Sequence, residues 1–374
     1  MAAGAGARGL TRRPDAVVLC LLVAGAAGFV LLPVMTVAPN RLLDGQALAL
    51  ARVLGAGRAT ALLPAAALLF FAAAGRRLGT AIAAWGLIAG LVWLAGNVAA
   101  GVAPGLAPAA RIAPGAGWWT AAFASALIWG ETLRPLPAAL RVPLLPTALL
   151  PAVVLYAHGR LTALSLLREY AVRRAEVGSA LAGHVALVGL TLAIALPAGA
   201  ALGLLAQRRA ALRGPVFTAL NVVQTIPSIA LFGLLLPALA PFGAGIGRVP
   251  AVIALVLYAL LPLARATAEG LDGVDPGVVE AARGIGMPPV RRLWTVEAPL
   301  AAPALLAGVR VTVVQTIGLA VIAALIGAGG LGALVFAGLS ADALDLVLLG
   351  VIPTVALAVI ADATLRLLAG LARR

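Results

Sequence analysis

The sequence contains no lysine. All 27 basic residues are arginine, set against 13 acids, and charged residues make up only 11% of 374. There is one cysteine, Cys20, which excludes a disulfide framework and a multi-cysteine metal site. The two histidines, His158 and His184, stand apart, and no metal-ligand spacing or nucleophile–base pair accompanies them. Soluble domains carry about 25% charged and about 45–50% apolar residues. Here 63% are apolar and the mean hydropathy is +1.10. So little charge cannot cover a soluble enzyme, a disordered tail or a nucleic-acid-binding face, and the apolar excess must meet lipid. The composition is that of a polytopic protein of the lipid bilayer. The formal charge of +14 belongs to arginines in short segments between apolar runs, the distribution that sets membrane topology. A nucleic-acid binder needs a basic patch on a soluble surface instead.

Apolar segments of spanning length, about 17–25 residues, fall at 16–37, 59–75, 78–101, 117–131, 142–158, 180–206, 215–239, 247–264, 300–326 and 343–368. The chain is therefore expected to be an all-α integral membrane protein of about ten transmembrane helices. The first run follows Arg8, Arg12 and Arg13 but is longer than the about 7–15 apolar residues of a cleaved signal, so it is read as an uncleaved helix. With both termini in the cytoplasm, 17 arginines fall in inner segments and nine in outer ones, with Arg310 inside a span. The excess of inner arginine favours that orientation. Segment 159–178 is the exception, holding four arginines outside. Its Leu164, Leu167, Ala171 and Ala175 recur at helical spacing, which predicts an amphipathic linker lying in the membrane interface. It divides accessory helices in 1–158, about five, from a five-helix unit in 179–374.

One polar stretch, 265–299, is long enough to hold structure of its own. It contains Glu269, Asp272, Asp275, Glu280 and Glu297. Asp275 is a good helix N-cap, Pro276 suits the first helical position, and Gly284 or Gly286 can close the helix ahead of Pro288-Pro289. The spacing predicts a short helix over 276–284 on the cytoplasmic side, either a docking element or a connector resting on the bilayer.

Within this stretch Glu280-Ala281-Ala282, three residues, Gly286, nine residues and Val296-Glu297-Ala298-Pro299 resemble the signature E-A-A-x3-G-x9-I-x-L-P of ABC importer permeases. Val296 replaces Ile and Ala298 replaces Leu, both still apolar. The resemblance covers about 179–374. His184, Gln224-Thr225-Ile226-Pro227-Ser228 and Leu325 through Gly332 are similar to the branch that imports glycine betaine, choline and related osmoprotectants, while methionine permeases share parts of the pattern. The N-terminal 158 residues resemble the extra helices of some osmoprotectant permeases. Membership would imply a multi-pass permease of the bacterial inner membrane, which carries no catalytic residue and binds no cofactor. Its partners would be a cytoplasmic ATPase dimer holding ATP and Mg, a second permease subunit, identical or related, and an extracytoplasmic substrate-binding protein. Glu280, Ala281, Ala282, Arg283, Gly284 and Gly286 would then seat in a groove of the ATPase, and Pro299 would begin the next span.

Gln224, Thr225, Pro227 and Ser228 interrupt an apolar run, and backbone groups freed by Pro227 need protein or a water-filled cavity. They either line a translocation path or form a kink satisfied by neighbouring helices. Gln315 and Thr316 are similar candidates for the path. Gly327 to Gly332 lacks the Lys-Ser/Thr ending of a phosphate-binding loop and is read as a tight outward-facing turn. Arg310 is costly inside a membrane unless it snorkels or pairs with an acid such as Glu297. Quaternary ammonium groups are commonly held by aromatic cages. Trp85, Trp93, Trp118, Trp119 and Trp129 all lie before residue 159, so tight recognition is expected on a partner protein. An ion-coupled secondary transporter is the rival class. It needs intramembrane acids near broken helices and usually inverted repeats, whereas the acids here gather in one loop.

Overall fold

The computed structural model describes residues 16–371 except 41, 42, 44, 55–64, 66, 69, 70 and 73–76. The expected span 59–75 lies largely outside the described residues, as do Arg8, Arg12, Arg13, Arg76, Arg373 and Arg374. The chain forms two compact units that divide between Val172 and Arg173.

In the first unit α1 (Ala16–Leu31), α2 (Arg77–Val102) and α3 (Ala116–Leu133) are the long helices, and α1 and α2 each pack along α3. A small antiparallel sheet joins β1 (Met35–Ala38), β2 (Gln46–Leu48) and β3 (Arg111–Pro114) in the order β2-β1-β3. Its register sets Met35 opposite Leu48 and Pro114. The chain is mostly helical, as expected, and the sheet is a small addition that the sequence did not announce: strands of three or four residues are too short to display alternation, and β3 joins from far along the chain. The sheet corrects the span 16–37. Pro33 cannot continue the helix, so α1 stops at Leu31 after 16 residues, about 24 Å, and the rest of the apolar run enters β1. The run at 142–158 is likewise no single helix. Pro143, Pro146 and Pro151 divide it into Ala138–Leu144, a tighter turn and Leu150–Ala157.

Phe29, Met35, Leu94, Val98, Ile112 and Leu164 meet in one core of this unit. Residues from the segment read as an interfacial linker take part in it. Leu161 and Leu164 are buried there, Ser165 Oγ accepts from Ile112 N and donates to Ile112 O, and buried Glu169 pairs with Arg111 at 3.1 Å.

The helical run α4 (Ser165–Arg208) begins in the first unit and departs from helical dihedrals at Arg173, the first residue of the second. There follow α5 (Ala210–Thr225), α6 (Ser228–Leu239), α7 (Arg248–Asp272), α8 (Pro276–Gly284), α9 (Ala298–Ile322), α10 (Leu331–Ser340) and α11 (Leu344–Leu371). The most extensive packing is α7 on α9, with α11 against both α9 and α10. Lipid supplies no hydrophobic drive between helices, so close approach depends on small residues. A Cβ added at Gly199 of α4 would sit 2.5 Å from Leu263 Cβ of α7, and one at Gly308 of α9 would overlap Ala266 Cβ of α7. Leu187, Phe232, Leu255, Tyr258, Ile317 and Ala320 meet in the main core.

Among the described residues five helices are long and apolar enough to cross a membrane: Arg77–Gly105, Ser165–Arg208, Arg248–Asp272, Pro289–Ile326 and Leu344–Gly370. The pair Ala210–Thr225 and Ser228–Phe242 makes a sixth if its two halves count as one span. The interruption expected within 215–239 is present in this pair as a bend of 100°. Pro227 has no N–H to continue the ladder and biases the residue before it toward extended angles. Ile226 adopts φ −74° and ψ 124°.

Candidate functional site

The polar stretch 265–299 is almost wholly helical. Arg265 through Asp272 complete α7, which runs past its apolar part because Thr267, Ala268 and Leu271 are buried against neighbours. The expected helix is present as α8, Pro276–Gly284. The Asp275 carboxylate accepts from Gly277 N at 2.7 Å, satisfying one of the orphan amides at the helix start. At the other end Gly286 sits at φ +73°, Gly286 N donates to Arg283 O at 2.9 Å, and Met287 N donates to Ala282 O at 3.1 Å. This pairing is the Schellman closure, and it needs a left-handed residue at that position. Of the two candidates for closing the helix, Gly286 does it, and Gly284 remains in the helix.

The α8 element has a tip and a base of different character. At the tip Glu280 and Arg283 form an i,i+3 pair at 3.0 Å, with side chains 68% and 54% exposed. Ala281, Gly284 and Ile285 are exposed beside them, and Trp294 and Val290 lie open on the segment that follows. At the base Ala282 is buried, and Val279 packs with Leu271, Val274, Leu293 and Ala301.

The base also holds charge. The Glu297 side chain is 4% exposed and takes two guanidiniums. Its Oε1 accepts from Arg292 Nε at 2.7 Å, and its Oε2 accepts from Arg208 Nη2 at the end of α4. Glu297 closes a π-helical turn, Leu293–Glu297, that leads directly into α9. Pro299 is the second residue of α9, within a helical stretch that runs from Pro289 to Ile326. Without a backbone N–H it makes no demand on that distorted ladder. Arg310 pairs with Asp362 at 3.0 Å, and Asp362 also takes Arg366 at 2.7 Å. Arg310 thus pairs with an acid, one of its two expected solutions, and the acid is Asp362, while Glu297 is engaged with Arg208 and Arg292.

At the bend between α5 and α6 the side chains repair the interrupted helix. Gln224 Nε2 donates to Tyr258 O at 2.7 Å, the Tyr258 hydroxyl donates to Ile226 O, and Thr225 Oγ1 donates to Val222 O at 2.7 Å. Pro227 precedes α6 and Ser228 is its first residue. Gln224 and Ser228 are half-buried and Thr225 is exposed. Gln315 and Thr316 lie in the last third of α9, the first half-buried and the second buried, and no hydrogen bond among the described residues joins them to the bend. Tyr258 escaped notice in the sequence, although a tyrosine in an apolar span signals a hydroxyl that needs a partner. Arg208 and Arg292 were legible only as topology-setting charge.

On the opposite end of α9, His184 is fully buried, and its Nε2 lies 3.1 Å from Ile317 O. Gly327, Gly329 and Gly330 all have φ near +75° to +80°, and a Cβ on Gly330 would sit 3.2 Å from His184 Nδ1. The glycine run is a tight turn packed on His184.

Residues 195–374 match the family described as "Binding-protein-dependent transport system inner membrane component", and residues 12–167 match "ABC transporter permease YehY, N-terminal domain". The Osmoprotectant import permease protein OsmW of Salmonella typhimurium is 45% identical over 48% of this chain and 83% of its own length. The Choline transport system permease protein OpuBB of Bacillus subtilis is 35% identical, covering 48% of this chain and 80% of itself. The Glycine betaine/carnitine/choline transport system permease protein OpuCB, also of Bacillus subtilis, is 38% identical over 48% and 79%.

Proposed function

This chain belongs to the inner-membrane permease components of binding-protein-dependent transport systems, and we propose that it passes glycine betaine, choline or a related quaternary-amine osmoprotectant. It is a transport subunit of an ABC importer rather than an enzyme, and ATP hydrolysis resides on a separate subunit. The names of its relatives support the solute class. The scarcity of aromatic residues after residue 172 supports a division of labour in which an extracytoplasmic binding protein selects the solute and this subunit offers a weakly binding passage.

The observation that carries the mechanism is α8. Exposed Ile285 and Trp294 would be unremarkable on a lipid-facing helix. Here they follow Glu280 and Arg283 in a segment rich in charge, where exposed apolar side chains among charges suit a protein-docking surface. Both termini and this loop lie in the cytoplasm in our reading, in accord with the arginine distribution. Glu280, Ala281, Ala282, Arg283, Gly284 and Gly286 form a capped lever seated on one ATPase of a dimer, which binds ATP and Mg. Pro299 keeps the outgoing helix free of an unpaired amide near the lever. Two permease subunits, identical or related, enclose a path lined by Gln224, Thr225, Pro227 and Ser228, with Gln315 and Thr316 further along it. Beyond the described spans, the shorter apolar helices of 1–158 complete a total of about ten crossings.

The test uses the whole transporter in proteoliposomes. Cysteine at Ala281 should crosslink to the ATPase, and Glu280→Lys should leave membrane insertion intact while uncoupling hydrolysis from uptake. Unaltered uptake in that variant removes Glu280 from the lever. A panel of labelled glycine betaine, choline, proline betaine and methionine identifies the solute. Accumulation of methionine alone would place the chain with a different branch, and uptake driven by an ion gradient without ATP would favour the secondary-transporter class.

A further inference from the structure

The signature that marks α8 leaves the position of Glu297 open, yet this is the most completely enclosed carboxylate of the second unit among the described residues. It is 3% exposed, and each of its oxygens is taken by a guanidinium from a different part of the chain. Arg292, 6% exposed, ends the short turn Pro289–Arg292 that follows α8. Arg208 is the last residue of α4. Glu297 itself is the last residue of the π-turn before α9. One side chain thus ties together the segment leaving α8, the end of the first core helix and the start of α9.

Between α8 and this tie the backbone has a weak point. Gly286 is left-handed at φ +73°, and Pro288 is extended at φ −65°, ψ 151°. A push on α8 could be dissipated by rotation there unless the segment beyond it is held. Packing at the base resists this on one side, through Val279 against Leu271 and Leu293. The ionic tie resists it on the other side and adds a direct link to α4. A buried ion pair is poor evidence for stability, since apolar groups of equal volume often serve as well. Its better-attested use is to fix one register between elements. A two-armed carboxylate, with Nε of one arginine and Nη2 of another in fixed places, does that here.

We propose that Glu297 is a positioning residue, and that its pairs with Arg292 and Arg208 make the α8 segment, the end of α4 and the start of α9 move as one body when the ATPase closes. The proposal rests on the reading of α8 as the ATPase-docking lever.

Arg208→Gln cuts only the arm to α4 and leaves Arg292–Glu297 in place. The readout is ATP hydrolysed per molecule of solute taken up in proteoliposomes of the complete transporter, using the labelled compound that the wild type accumulates from the panel above. The expected result is a rise in that ratio of at least about fivefold, the low end of typical coupling between sites. Arg208→Lys, which retains charge but loses the planar fork, should give an intermediate ratio. Crosslinking from Ala281→Cys to the ATPase should keep its wild-type yield in both backgrounds. An unchanged ratio in Arg208→Gln overturns the proposal. So does a parallel loss of uptake and hydrolysis, in proportion to assembled complex, because that is what a purely structural pair would do. Should Arg208→Gln fail to assemble, Glu297→Asp, which shortens both arms, decides by the same ratio. Loss of the crosslink in otherwise wild-type transporter would sink the docking reading and leave the tie to be judged by the ratio alone.

Discussion

The tip and the base of the α8 element each hold a glutamate paired with arginine, and the pairs are built for opposite purposes. Glu280 and Arg283 are neighbours on one helical turn, both more than half exposed. Such a pair adds at most a few tenths of a kcal/mol to the fold. It is available to a partner at almost no cost. Glu297 joins residues from separate elements and is nearly sealed from solvent, so removing it leaves the enclosed Arg292 guanidinium without its acid. The lesson is that the charged residues of a recognisable motif can face outward while the ionic linkage that holds the element in place sits at positions the motif leaves open.

That contrast can be broken, most directly at the base. Glu297→Ala strands the buried Arg292 guanidinium, while the one-third-exposed Arg208 can turn to solvent, and should lower the stability of the detergent-solubilised permease by about 3 kcal/mol, read as a large fall in thermal midpoint. A loss under about 1 kcal/mol would mean that the enclosure of Glu297 is not felt energetically. Next comes Gly286→Ala. A Cβ there meets no neighbour, so the whole penalty is the left-handed backbone, about 1–2 kcal/mol. Hydrogen exchange should report it as fraying at Met287 and Gly286, whose amides close α8. Asp275→Ala removes the cap on Gly277 N and should cost about 1 kcal/mol, seen as faster exchange confined to the first turn. Smallest of all, Glu280→Ala should change the melting behaviour by less than about 0.5 kcal/mol, even though Glu280→Lys is expected to abolish productive transport. Comparable melting losses from Glu280→Ala and Glu297→Ala would erase the distinction between tip and base.

Local chemistry made α8 legible before any coordinates. An Asx cap, a proline at the first position and a glycine at the close each act within a few residues, and all three do what their types dictate. The long helices α2, α7, α9 and α11 were equally plain, as was the apolar part of α4 after residue 179, because apolar length is itself the signal. What the sequence hid was decided at a distance. The three strands owe their existence to a pairing between Met35–Ala38 and Arg111–Pro114, which no local pattern announces. The proline at 227 announced a break but not a bend of 100°. For Arg310 the need for an acid was readable and its identity was not. Asp362 meets it from α11, while the acid nearer in sequence was already committed to Arg208 and Arg292.

The open indole of Trp294, 70% exposed, has a practical use. Of the six tryptophans, it alone follows residue 172. With the other five changed to phenylalanine, the intrinsic fluorescence of the subunit would come from a single ring beside the lever. Its emission should move to shorter wavelength as the ATPase covers it and return on release, so that the engagement step can be timed optically without attaching a dye.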